Sequence, residues 1–326
     1  MDGWSHMNDR TEDGRAMIIA VGECMLELRP DTDRWQLGHS GDTFNTAVYL
    51  ARLGERVAYW TALGDDPFSL QMRNSWHAAG LDTSLVLTVP GKLPGLYAIC
   101  NDAAGERSFY YWREQAAVRE LFTAAGSPGA LGRASAAELL YMSGITLALF
   151  GTAGRGVLME CARAVRAAGG EVAFDPNYRA SLWQSPAAAR QAMLAFAPVV
   201  SIALPTFGDE ALLHEDCQPR DTTARWLAYG AKEVIVKLGM HGCMLADGEA
   251  VRPAEPLLAV DTTAAGDAFN AAYLAARRQH IEVRRAACFA NRLAGRVITH
   301  RGAIIPSSAM SDLVSELGSM VRSADR

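Results

Sequence analysis

In "VDTTAAGDAFN" (260–270) a carboxylate, Asp267, follows three small residues and opens a helical pattern. The first turn of a helix leaves N–H groups without helical acceptors, and together with the helix dipole they attract an anion. Ala265, Gly266 and Asp267 would therefore offer N–H donors to a phosphate. An acid at that same turn repels the phosphate unless its task is to take a proton. The two features together point to phosphoryl transfer, with Asp267 as general base toward an attacking hydroxyl and the N–H groups as an anion hole. The same spacing also suits an ordinary helix N-terminus, where an acid is at home.

Three other segments carry groups that could face a substrate. "SGDTFNTAVYLARLG" (40–54) places Gly41, Asp42 and Asn45 within one turn, an acceptor and an amide suited to neighbouring hydroxyls; Asp42 or Thr43 could equally cap a helix over 46–53. "LPGLYAI" (93–99) and "FYYWREQAA" (109–117) bring Tyr97, Tyr110, Tyr111 and Arg113, with strand alternation sending Tyr110 and Tyr111 to opposite faces. A guanidinium binds carboxylate as a bidentate fork, so Arg113 fits an acidic substrate; a solvent-facing arginine on an edge strand fits the same pattern. "FDPNYRASLW" (174–183) adds Asp175, Asn177 and a second cation, Arg179, just past a buried strand, where open α/β sheets hold ligands. An Asp-Pro-Asn turn is also a common strand exit.

These groups need a scaffold, and the pattern between them supplies one. Strands at "MIIAVGECMLELR", "RVAYWTALG", "ELLYMSG", "EVAFD", "PVVSIAL" and "EVIVKLG" alternate with helices near 46–53, 68–79, 156–168 and after Pro186. Strands separated by helices of this length predict right-handed crossovers and a mostly parallel sheet covered on both faces. Residues about 23–42 and 90–114 break the rhythm and read as a small β lid. A strand ending near Val260 leads to a helix from Asp267 to about Arg278, followed by another from about Glu282 to Thr299. In "VIVKLGMHGC" (234–243) a buried strand turns through glycines into a second strand near Cys243.

Composition excludes several classes. With 326 residues, 50% hydrophobic and 21% charged at a formal net charge of -5, the chain has no basic stripe for nucleic acid. No apolar run approaches the roughly 20 residues of a membrane span. Six scattered cysteines without a Cys-x-x-Cys pair suit a reducing cytoplasm. There is no P-loop, no Gly-x-Gly-x-x-Gly, and none of the seven histidines pairs at metal spacing; His39 and His241 read as surface residues. The organisation expected is a flexible extension over 1–15, one α/β domain over 16–310 carrying the lid, and a partly helical tail over 311–326.

The segment around Asp267 resembles the C-terminal signature of the ribokinase-like (PfkB-type) carbohydrate kinases, Asp-Thr-Thr-Gly-Ala-Gly-Asp-x-Phe, with Ala264 in place of the first glycine. "SGDTFNTAVYLARLG" and "WTALGDDPF" resemble its second signature, with Ser40-Gly41 where Gly-Gly is common, and the likeness spans about 17–306. The resemblance implies a doubly wound kinase fold with a β lid, ATP and Mg²⁺ as cofactors, Asp267 as base, and Ala265 to Asp267 as anion hole. It further implies sugar contacts from Gly41, Asp42 and Asn45, with Arg179 near both substrate and the transferred phosphate. On the nucleotide side it implies Asn177, Lys237, Gly239, Gly242, Ala264, Gly266 and Asn291. The family's Asn-x-x-Glu segment is imperfect here: in "LPTFGDEALL" Asp209 and Glu210 keep carboxylates without the asparagine, so no direct metal ligand is assigned.

Within the family, the Ala-Ala variant is similar to bacterial 2-keto-3-deoxygluconate kinases. That likeness implies phosphorylation of an acidic keto-sugar at its C6 hydroxyl, with Tyr97, Tyr111, Arg113 and Arg179 holding the substrate, and a homo-oligomer formed through the lid. A family member acting on a neutral sugar, of fructokinase or ribokinase type, is one alternative. A non-catalytic sugar- or nucleotide-sensing protein on the same scaffold is another.

Overall fold

The computed structural model describes residues 18–31, 33–101, 107–254 and 257–324. The chain enters through β1 (Ile18–Val21), then forms β2 (Met25–Asp31) and β3 (Arg34–Ser40), and returns as α1 (Asp42–Arg52). It continues through β4 (Val57–Leu63), α2 (Pro67–Ala78) and β5 (Val86–Thr88), and then through the hairpin β6 (Leu96–Asn101) and β7 (Arg107–Trp112). There follow α3 (Ser127–Ala134), β8 (Leu139–Ser143), α4 (Gly144–Leu149), α5 (Gly151–Ala167), β9 (Glu171–Asp175) and α6 (Pro186–Phe196). Next come β10 (Ile202–Ala203), α7 (Phe207–His214), α8 (Pro219–Ala228), β11 (Glu233–Val234), and three short antiparallel strands: β12 (Val236–Lys237), β13 (Cys243–Met244) and β14 (Ala250–Val251). Three helices close the chain: α9 (Ala265–Arg278), α10 (Val283–Ile298) and α11 (Ser311–Ala324).

Seven strands form a parallel sheet in the order β11-β10-β9-β8-β1-β4-β5. The chain winds outward from β1 in one direction through β4 and β5, then in the other through β8 to β11. Alternation along each strand splits the core: Ile18, Ala20, Leu139 and Tyr141 pack with α1, α9 and α10, while Ile19, Val21, Leu140 and Met142 pack on the opposite face with α5. The doubly wound architecture expected from the alternation is the one observed. Its reversal at β1 opens a crevice at the carboxyl ends of the strands.

The run "MIIAVGECMLELR" is not one strand. β1 belongs to the central sheet and β2 to the lid, and the chain leaves one for the other at Gly22, where a Cβ would meet Thr43 Oγ1 at 2.2 Å. The lid is a mixed sheet, β3-β2-β6-β7, in which β2 and β6 run parallel and the outer pairs antiparallel. The Gly-containing turn between β6 and β7 falls in 102–106, outside the described residues. No strand forms at 257–260; that stretch is irregular. Residues 1–15, read as an extension, also lie outside the described residues.

α9 is the buried axis of the site. Ala271, Ala272, Ala275 and Ala276 are fully buried, and their small side chains let the helix lie close to α1 and α10. Its last turn carries Arg277 and Arg278, which suit the negative end of the dipole. Arg277 pairs with Glu233 at 2.9 Å, and Arg278 with Glu55 at 2.9 Å and Glu138 at 3.2 Å, fastening the helix to the amino ends of the strands.

Candidate active site

Asp267 is the third residue of α9, whose N-cap, Ala264, has φ 62° and ψ 11°. The backbone angle that a glycine would supply is thus left-handed here and held by an alanine. Ala265 donates its N–H to Thr262 O over a long 3.3 Å, which leaves Gly266 and Asp267 as the residues of this turn whose N–H groups have no helical acceptor. Asp267 Oδ2 accepts from Asn45 Nδ2 at 2.8 Å. Burial pushes the Asp267 carboxyl well above the usual carboxylate range; Asp42 and Asp175 push it further, while Asn45 and Lys237 oppose them.

α1 delivers the second set. Its N-cap is Gly41, in extended backbone, and neither Asp42 nor Thr43 caps it; a Cβ at Gly41 would lie 2.1 Å from Glu23 O, so close approach requires the glycine. Asp42 accepts from its neighbour Thr43 N at 2.8 Å and from Asn177 Nδ2 at 2.8 Å. Asn177, which the resemblance put on the nucleotide side, has φ 36° and spends its amide nitrogen on Asp42. Asn45 also differs from expectation. Its amide nitrogen is shared between Asp267 and Ser40, so it holds the Asp267 carboxylate and is not free for a hydroxyl.

The lid contributes Tyr111 and Arg113. Arg113 is not a solvent-facing residue: it is 6% exposed and ion-paired with buried Glu23, with its Cζ 5.9 Å from the Tyr111 ring centre. Burial raises the Glu23 carboxyl against the pull of Arg113, and Glu23 Oε1 and Arg113 Nε are buried without protein partners. Burial raises the Tyr111 phenol, and the charges of Arg113 and Arg179 lower it; Arg113 is the cation that lies over its ring. Arg179 is half exposed and lies 3.3 Å from Asp209, whose carboxyl burial raises. The Tyr97 hydroxyl donates to Glu27, and its ring packs 5.9 Å from that of Tyr111; it supports the lid floor and is not a free donor.

A cleft of about 840 Å³ runs from Ala265 and Gly266 to the turn between β12 and β13. Gly239 (φ 59°) and Gly242 (φ 85°) shape that turn, and a Cβ at Gly242 would sit 2.1 Å from Val251 O. Asn291 lines the far end and donates its amide to Val251 O at 2.9 Å, leaving its carbonyl oxygen for a ligand. The walls are mainly apolar, as suits the flat base of a nucleotide. Lys237 lines the same cleft, while its ammonium pairs with Asp175 at 2.5 Å and donates to Asn270 at 3.1 Å, and the side chain is buried. His39 is not a surface residue either, as its ring packs on Phe44 and Trp76.

Sequence reasoning passed over Glu23 and Asn270. Glu23 had a legible signal, an acid at the carboxyl end of a buried strand. Asn270 had none, because its neighbours come from β8, β9 and β12.

The arrangement joins an acid whose carboxyl is raised, a helix start with unpaired N–H groups, a nucleotide-sized cleft and a β lid followed by a buried arginine. The description "pfkB family carbohydrate kinase" matches residues 15–310. The chain belongs to the PfkB family of carbohydrate kinases. Among PfkB relatives, it is 40% identical to the 2-dehydro-3-deoxygluconokinase of Haemophilus influenzae, over 92% of this chain and 98% of that protein. It is 41% identical to the enzyme of the same description from Escherichia coli, over 90% and 98%. In fold, this PfkB chain is similar to the aminoimidazole riboside kinase of Salmonella enterica, with a TM-score of 0.75 at 24% identity covering 93% of this chain and 99% of that one. It is likewise similar to the fructokinase of Xylella fastidiosa, with a TM-score of 0.77 at 22% identity covering 95% and 99%.

Proposed function

We propose that this chain is a 2-dehydro-3-deoxygluconokinase that transfers the γ-phosphoryl group of ATP to the C6 hydroxyl of 2-keto-3-deoxy-D-gluconate. The observation that carries the reading beyond the family is Arg113, buried beside Glu23 with its guanidinium over the Tyr111 ring, together with a second cation, Arg179, beside Asp209 just past β9. A neutral sugar needs neither; a carboxylate needs at least one. Asp42 and the Gly41 loop meet the sugar hydroxyls, and Asp267 takes the C6 proton as the oxygen attacks. The N–H groups of Gly266 and Asp267, with Arg179, stabilise the charge on the transferring group.

The triphosphate lies along the turn of Gly239 and Gly242, with the base against Asn291. Magnesium supplies charge neutralisation on the β and γ phosphates. Among the described residues no three His, Cys, Asp or Glu side chains cluster to hold a metal, and the donor set fits an ion carried on phosphates and water with Asp209 near its shell. Six unpaired cysteines support a reducing, cytoplasmic setting, and among the described residues no helix is long and apolar enough to cross a membrane. The aromatic outer face of the lid supports a homo-oligomer. The test is an ADP-release assay on 2-keto-3-deoxygluconate, its galactonate epimer, fructose and ribose. The acidic keto-sugar should exceed the neutral sugars at least about 100-fold in kcat/KM, the scale of one lost charged contact; equal rates on fructose would overturn the substrate. Asp267→Asn should abolish turnover while ATP still binds.

A further inference from the structure

Lys237 ends β12, on the side of the sheet reached by α9. A cation at that place is expected to reach for phosphate, yet this one is 5% exposed and engaged from two sides, by Asp175 from the end of β9 and by Asn270 from α9. Asn270 is one turn beyond Asp267 and donates to Asp175 Oδ2 at 2.6 Å and to Tyr141 Oη at 3.0 Å. Tyr141 Oη lies 3.2 Å from Thr46 Oγ1, which in turn lies 3.3 Å from the Asp267 carbonyl oxygen. A Cβ built on Gly266 would be 3.7 Å from Lys237 Nζ, so the ammonium sits directly beneath the anion-binding turn.

The charged and titratable groups acting on Asp267 come from each element packed around it. Asp42 comes from α1, Asp175 from β9 and Lys237 from β12; Tyr141 from β8 and Tyr49 from α1 feel its charge in return. The ammonium pairs with one of these carboxylates, Asp175, and lies beneath the helix turn that carries another, Asp267. We infer that Lys237 and Asp175 form a positioning pair that sets how readily Asp267 gives up its proton, with Lys237 favouring the anionic base and Asp175 opposing it. The directions of the charge effects on Asp267 agree. The inference rests on the reading of Asp267 as the base.

The test is the pH dependence of kcat/KM in Lys237→Met, Asp175→Asn and the double variant, all as full-length protein with ATP and magnesium. Asp175→Asn should move the acid limb to lower pH, Lys237→Met to higher pH by about one unit, and the double variant should return toward the parent. At a pH on that limb, a one-unit move is about a tenfold change in kcat/KM. Lys237→Met leaves a buried carboxylate unpaired and can unfold the protein; Asp175→Asn and the double variant then carry the test. Loss of activity with the limb unmoved in folded variants would overturn the inference, as would a raised KM for ATP in the double variant with the limb in place, which marks a direct phosphate contact. Asp267→Asn separates the two readings: residual turnover there removes the base itself, whereas an inactive Asp267→Asn with an unmoved limb removes only the pair.

Discussion

At the scale of single residues, the site is a set of charges held where water cannot fully solvate them. The Asp267 carboxyl is raised by burial and by Asp42 and Asp175, so in the proposed role of base its working, ionised fraction falls as pH drops through that raised value. The acid limb of kcat/KM should therefore lie above the ordinary carboxylate range near pH 4. The same shift has a sign for stability. A folded pKa above the unfolded one contributes stability that is complete below the unfolded value and is lost as pH rises through the folded value. Asp267→Asn, which removes the charge and keeps an acceptor for Asn45, should raise Tm by about 1–3 °C at pH 8–9 and by less at pH 5, measured by calorimetry. Arg113 poses a second question, since its partner Glu23 is buried with it. Arg113→Ala should raise KM for the acidic sugar about 30-fold or more. Adding Glu23→Gln should recover stability without recovering that KM, because it relieves the stranded carboxylate but restores no cation.

At the scale of elements, the start of α9 concentrates the chemistry and some strain. Ala264 holds a left-handed backbone, which costs an L-residue about 1–2 kcal/mol. Glycine relieves that cost but loses about 0.4–1 kcal/mol through the entropy of the unfolded chain. Ala264→Gly should therefore raise Tm by no more than about 1–3 °C and leave kcat unchanged, read by thermal melting beside steady-state rates. A fall in kcat would mean that the alanine methyl itself shapes the cleft. At the far end of the helix, the pairs of Arg277 and Arg278 hold it to the strand starts, so the turn that binds the anion is fixed from the opposite end of the molecule.

At the scale of the whole molecule, the lid has two working faces. Register places Glu27, Tyr97 and Tyr111 on one face, where the Tyr111 ring meets Arg113. It places Trp35, Leu37, Tyr110 and Trp112 on the other, all about half exposed or more. An aromatic sheet face of that kind, on a sheet with free edges, is the natural place for a second copy. Trp35→Lys with Trp112→Lys should halve the mass seen by light scattering and raise the sugar KM, as the lid loses its support; a parent protein that is monomeric at micromolar concentration would defeat this reading.

The strands, the helices between them and the turn at Asp267 were legible because each is written in a short window: alternation, a glycine or two, an acid at a helix start. Family membership followed from the same windows. Pairing between distant segments was not legible. Asn45 reaches Asp267 across 222 positions and Lys237 reaches Asp175 across 62, so an amide expected to meet the sugar holds Asp267, and a cation expected beside the nucleotide is paired with a carboxylate. The break of the first β run at Gly22 was hidden for a related reason, since a strand pattern does not say which sheet it joins. Residue type and spacing decide which groups are available and which element carries them. Which charge neutralises which depends on distances that exist only once β1, β9, β12 and α9 have packed together.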